Sequence, residues 1–322
     1  MSAQSNNNGR AYEYACLTTL CNSIGKVRKA QIVDNSSLHA AKRAWDTLQP
    51  GAQSLYRLSA ESIVATVFAL EPRILENCGD VLNLYIQTDD KGKLGDVRDI
   101  IVERSGLKWE IGLSIKHNHM AVKHSRISEH LDFGKSWYGV KCSDEYWNSV
   151  APTFKYLRDE KAKNTKFRDL PDKDNDVYIP LLNAFMTEIS KQVTSHNNIP
   201  RKLVEYLLSK FDFYKIISID NLRLTTVQSF NMYGTLNLAG EQSVPQIKIP
   251  RLSLPTKLLH IGFKPKKKTT VLMAFDNGWQ FSFRIHNAET KVVPSLKFDI
   301  QIEGMPTDVN MKFNCKWRNE SN

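Results

Sequence analysis

Residues 109–116 alternate with period two: Trp109, Ile111, Leu113 and Ile115 are large and apolar, while Glu110, Gly112, Ser114 and Lys116 are polar or small. Such alternation predicts a half-buried strand with one face in the core. A β-branched run at Val97, Ile100, Ile101 and Val102 precedes it, with the glycine-bearing turn Arg104-Ser105-Gly106-Leu107 between. Residues 95–118 therefore read as a β-hairpin. Helical spacing appears upstream: residues 9–23 place Cys16, Leu17 and Leu20 on one stripe, which Glu13 shares. Ser36 or Ser37 is suited to cap a second helix running through Trp45 to Leu48, and Pro50-Gly51 breaks it. A third helix is expected over 52–69, and a first strand over 82–87. Further amphipathic helices are expected over 143–157, 180–192 and 200–211. From Tyr214 on, short alternating runs at 214–219, 223–233, 258–263, 270–275, 280–286 and 296–302 read as strands separated by Asp-Asn, Pro and Gly turns.

This order of elements predicts an α+β fold. Residues 1–8 are polar and asparagine-rich and read as a disordered tail. A mixed sheet flanked by helices, with helical insertions, is expected over 9–195, and a β-rich region over 196–322. The hydrophobic fraction of 41% and charged fraction of 24% are globular values. The formal charge of +10 changes the picture more, because it favours a polyanionic partner. Five widely spaced cysteines without a C-x-x-C pair support neither a zinc site nor a disulfide framework, and fit a reducing cytoplasm. No apolar run of about 18 residues occurs, so no membrane partner is expected.

Candidate chemistry concentrates on the polar face of the hairpin. If the turn centres on Ser105-Gly106, Asp99 lies opposite Gly112 and Asp96 opposite Ile115. Two acids and Lys116 then converge on a small patch of sheet, which suits a divalent metal and a charged substrate. Glu13 on its apolar stripe is either paired with an arginine or aimed at that patch. His117, His119 and His124, with Lys123 and Arg126, suit a surface near phosphate. The last two histidines are five residues apart, off the spacing that puts two metal ligands on one helical face. Asp172, Asp174 and Asp176 imitate the start of a calcium loop, but Val177 and Asn183 stand where its glycine and glutamate belong. In the β-rich region Gln280, Ser282, Arg284 and His286 share one strand face, with Lys297 nearby. Gln, Ser and Arg are side chains that read base edges.

Eight longer stretches carry a resemblance: GRAYEY from Gly9, RLSA from Arg57, GDVRDI from Gly95, EIGLSIKHNH from Glu110, AVKHSR from Ala121, KFDFYKIISIDN from Lys210, GWQFSFRIHNA from Gly278 and PSLKFDIQI from Pro294. With them the chain resembles the HaeIII-type restriction endonucleases nearly end to end. The resemblance implies a type II enzyme that cuts double-stranded DNA within GGCC to blunt ends, using Mg²⁺. It also implies a PD-(D/E)xK nuclease core and a paired DNA methyltransferase. A palindromic target favours a homodimer with one active site per strand, while some four-base cutters act as monomers, and the sequence leaves both open. The class pattern has an acid at the start of one strand and (D/E)-x-K on the next, but here Ser114 stands two before Lys116. The nearest strand acid, Glu110, is too far along the strand to share a phosphate oxygen with Lys116 without a twist or bulge. Three acids can fill the gap: Glu110 reaching across to Asp99, Glu13 from the first helix, or Glu129 from the segment that follows. The order of preference is Asp99 with Glu110, then Glu13, then Asp96, with Glu129 last. The competing expectation is an inactive or structure-specific DNA-binding protein on a degenerate nuclease fold.

Overall fold

A computed structural model describes residues 3–88, 96–118, 125–236, 249–306 and 311–318 of the chain. The chain forms two compact units, both discontinuous. One comprises Met1–Met120, Lys210–Leu252 and Asp308–Asn322; the other comprises Ala121–Ser209 and Ser253–Thr307. The expected boundary at 195/196 falls inside the second unit.

Three helices open the first unit: α1 (Ala3–Gly25), α2 (Ser36–Asp46) and α3 (Pro50–Leu70). The tail expected over 1–8 is taken up by α1 from Ala3 onward. The N-cap of α2 is Asn35 rather than Ser36 or Ser37. Its backbone is extended (φ −160°, ψ 171°) and its side chain accepts the Leu38 N–H at 2.8 Å. Pro50, expected only as a breaker, is the first residue of α3. A missing N–H and a fixed φ cost nothing in the first helical turn.

These helices pack on a mixed sheet built, among the described residues, of β1 (Ala30–Ile32), β2 (Leu82–Ile86), β3 (Ile100–Arg104), β4 (Trp109–His117), β6 (Phe213–Ile219), β7 (Leu224–Phe230) and β12 (Lys312–Lys316), in that spatial order. β2, β3 and β4 are antiparallel neighbours, as the alternation predicts, and β6 lies parallel to β4. Trp109, Ile111, Leu113 and Ile115 enter one core with Tyr12, Leu17, Leu20, Ile63 and Val67 from α1 and α3.

The hairpin register differs from the expected one by two residues. The link is a 3₁₀ turn over Ser105–Leu107 followed by Lys108 in the left-handed region at φ 48°. A non-glycine residue there carries a steric cost of roughly 1–2 kcal/mol, and the longer link moves the pairing to Ile101↔Gly112 and Ile100↔Leu113. Asp99 thus follows in line with Ser114 rather than Gly112.

In the second unit β5 (Arg126–Ser128), β11 (Ser295–Gly304), β10 (Gln280–His286), β9 (Val271–Phe275) and β8 (Leu258–Phe263) form a separate antiparallel sheet in that order. Its helices are α4 (Phe133–Trp137), α5 (Asp144–Ala162), α6 (Ile179–Ser195) and α7 (Ile199–Leu208). Phe283 and Phe298 of this sheet pack on Phe185 of α6, with ring centroids 5.6 and 5.1 Å away. Period two puts Gln280, Ser282, Arg284 and His286 on the opposite face. The β-rich region expected over 196–322 is thus divided: β6, β7 and β12 join the first sheet, and β8 to β11 make most of the second. Asn35→Ala is expected to lower stability by about 1 kcal/mol while Ser36→Ala leaves it unchanged, as read from the midpoints of urea unfolding.

Candidate active site

The polar face of β4 ends in a cluster centred on Asp99. The Asp99 N–H donates to the Leu113 carbonyl at 2.8 Å, fixing this residue at the start of β3. Its Oδ2 accepts from the Ile115 N–H at 2.6 Å, from Lys116 Nζ at 3.0 Å and from Ser114 Oγ at 3.3 Å. No hydrogen bond engages its Oδ1 among the described residues. Both side chains are partly open, Lys116 at 27% and Asp99 at 23% of full exposure. Burial pulls the Lys116 pKa down, but the charges of Asp99 and Glu13 and the hydrogen bond to Asp99 outweigh it, so the ammonium is held above its ordinary range. Glu13 of α1 therefore acts on this cluster electrostatically, beside the buried Cys16 and Leu17 of its own helix.

The other hairpin acids go elsewhere. Asp96 receives Arg98 Nε at 2.8 Å and Nη2 at 2.8 Å, and Gln87 Nε2 at 2.9 Å. Glu110 receives Arg98 Nη1 at 2.7 Å. The Arg98 stem lies over Gly112, where a Cβ would stand 2.0 Å from its Cδ, and its guanidinium covers the Phe211 ring. Arg98 thus brings Asp96 and Glu110 together. Glu129 lies in the second unit, ion-paired with Arg158. Among the described residues no group of three His, Cys, Asp or Glu side chains is placed to hold a metal ion.

A residue that sequence reasoning passed over joins the Asp99 cluster. Lys215 of β6 pairs in register with Ser114 and is only 4% exposed. Burial, and then the Lys116 charge, push its pKa down to about 7 against the pull of Asp99. The signal was available: Lys215 is the one charged residue in Phe213–Ile219. His117, expected near phosphate, is occupied instead: it meets Asp220 Oδ2 at 2.7 Å and the Tyr56 hydroxyl at 3.3 Å.

In the second unit the residues expected to touch DNA share one sheet face. Arg284 pairs with Asp299, His286 with Lys297, and Lys297 with Arg126 in the strand registers. Arg284 Nε bonds Asp299 Oδ2 at 2.7 Å while its side chain stays 65% exposed. Ser282 is buried in the same row. Lys123 lies outside the described residues.

A family model described as HaeIII restriction endonuclease matches residues 9–306. The chain belongs to the HaeIII restriction endonuclease family. It is 46% identical to the "Type II restriction enzyme HaeIII" of Haemophilus aegyptius, over 96% of this chain and 97% of that protein. No solved structure matches the chain. Membership makes the chain a type II restriction endonuclease, a site-specific deoxyribonuclease. No helix among the described residues is long and apolar enough to cross a membrane.

The Lys116–Asp99 pair sets a cation 3.0 Å from a carboxylate at the partly open end of the polar face. Lys116→Ala is expected to leave DNA binding near normal and to lower the cleavage rate by at least about 10²-fold. Gel retardation without metal and single-turnover cleavage with metal measure the two separately.

Proposed function

We propose that the enzyme cleaves double-stranded DNA within GGCC to blunt ends by Mg²⁺-dependent hydrolysis, on a PD-(D/E)xK core centred on Asp99 and Lys116. The specificity rests on likeness to the HaeIII enzymes, and the catalytic part on the three donors that converge on Asp99 Oδ2. A paired methyltransferase that protects the host sequence, and a homodimer matched to the palindrome, belong to the same reading.

The residues present fit the metal. Mg²⁺ is commonly bound by one or two carboxylates, with water and substrate phosphate completing the shell, so three clustered acids are not required. Asp99, through Oδ1, and Glu13, whose charge reaches Lys116, are the residues that would hold it, while Glu110 and Asp96 bond Arg98. When bound, the ion supplies a more acidic water and neutralises a phosphate oxygen. Ser114 stands in the class's second acid position and contributes a hydroxyl that donates to Asp99 instead. Hydrolysis adds water across one P–O ester bond, leaving a phosphate on one fragment and a hydroxyl on the other. Lys116, protonated beside Asp99, stabilises the added negative charge at phosphorus and orients the attacking oxygen.

On the second sheet Gln280, Ser282, Arg284 and His286 are read as base-contacting residues, with Lys123, Arg126 and Lys297 toward phosphate. Incubation of plasmid with protein and Mg²⁺ is expected to give discrete fragments with flush ends inside GGCC, and EDTA to abolish them. Retarded but intact DNA would instead identify the inactive binder. Arg284→Ala is expected to lose discrimination at guanine by roughly 1–3 kcal/mol, measured as the ratio of cleavage rates on GGCC and single-substitution sites. An equal loss of binding on random DNA would make it a phosphate contact.

A further inference from the structure

Lys215 answers to no position of the nuclease motif. It lies within β6, between Tyr214 and Ile216, which enter the core under the helices. Because β6 runs parallel to β4 with Lys215 in register with Ser114, the two side chains rise from the same face. Lys116 rises from that face two residues further along β4. The charges of Lys116 and Asp99 both reach the Lys215 amine.

A lysine buried in this strand calls for a reason. A buried amine is costly to desolvate, and an apolar side chain of similar length would pack without that cost. The chemistry of the cluster does give one. Where the class carries an acid, Ser114 removes a negative charge, and Lys215 adds a basic group alongside. Two lysines then flank the carboxylate of Asp99, within reach of the Glu13 charge, which suits a phosphate.

We propose that Lys215 is a second lysine of the cleavage centre, supplying buried positive charge to the scissile phosphate as negative charge grows there in the transition state. This rests on the reading that places the centre at Lys116 and Asp99. A diester carries one negative charge and its pentacovalent transition state two. A cation in a low-dielectric setting acts more strongly on the second state, so its loss falls on kcat more than on KM.

The test compares Lys215→Met, Lys215→Gln and Lys116→Ala with the parent enzyme in cleavage rate, DNA affinity and thermal melting. Both Lys215 variants are expected to cleave roughly 10²-fold more slowly, with DNA affinity near the parent's and melting temperature no lower. A folded Lys215→Met or Lys215→Gln enzyme that cleaves at the parent rate overturns the proposal. So does a loss of rate that merely follows a loss of melting temperature or of DNA binding. Slow Lys116→Ala beside fast Lys215 variants removes Lys215 alone. Lys116→Ala at the parent rate removes the centre, and the Lys215 proposal with it.

Discussion

Four apolar side chains decide which way β4 faces. Trp109, Ile111, Leu113 and Ile115 are all buried against α1 and α3, and each is worth roughly 1.5–3 kcal/mol relative to exposure. A slip by one residue would turn all four outward at once. No polar contact on the other face competes with a term of that size. Glu110, Gly112, Ser114 and Lys116 therefore face away from the helices whatever their own preferences, and the chemistry of the strand is confined to them. The parallel partner β6 inherits the same rule: Tyr214 and Ile216 join the helical core, so Lys215 rises beside Ser114.

Charge then divides that face in two. Arg98 gathers Asp96 and Glu110 over Gly112, a position where any side chain would collide with the arginine stem. The desolvated guanidinium is offset by two carboxylates, which are thereby withdrawn from other work. The far end keeps Asp99, Lys116 and Ser114 and the field of Glu13. What looks in the sequence like a single cluster of acids around one lysine is an ion-pair network followed by the separate Asp99–Lys116 pair.

That division explains how far the sequence could be read. The alternation of β4, the antiparallel order of β2 to β4, the helical stripes and the Asp99–Lys116 proximity are local properties, and local patterning carries them. The exact register was not legible, because it depends on Lys108 adopting a left-handed conformation that glycine would normally be expected to fill. The error of two residues hid the Ser114–Asp99 contact. Arg98 was invisible as an organiser for the same reason, since which acids it meets follows from the register. Lys215 required a third kind of knowledge. It is about a hundred residues from Lys116 in the chain, and only the parallel pairing of β6 with β4 brings it to Ser114. A lysine isolated in an apolar strand marks a buried charge, but not the partner it was buried for.

The two lysines also show why nearby groups of one type need not share a role. Both lose hydration in the sheet, which disfavours the charged form. Lys116 has Asp99 at 3.0 Å and the field of Glu13, and these more than restore its charge. Lys215 is opposed by the very ammonium that Asp99 stabilises, so its pKa falls to about 7. A lysine kept protonated is a poor acceptor for a proton. On the proposed reading, Asp99 and Glu13 would supply the negative charge that holds a metal. That is a sparser set than the motif of the class provides, but within what a hexahydrated ion accepts when it gives up only some of its waters.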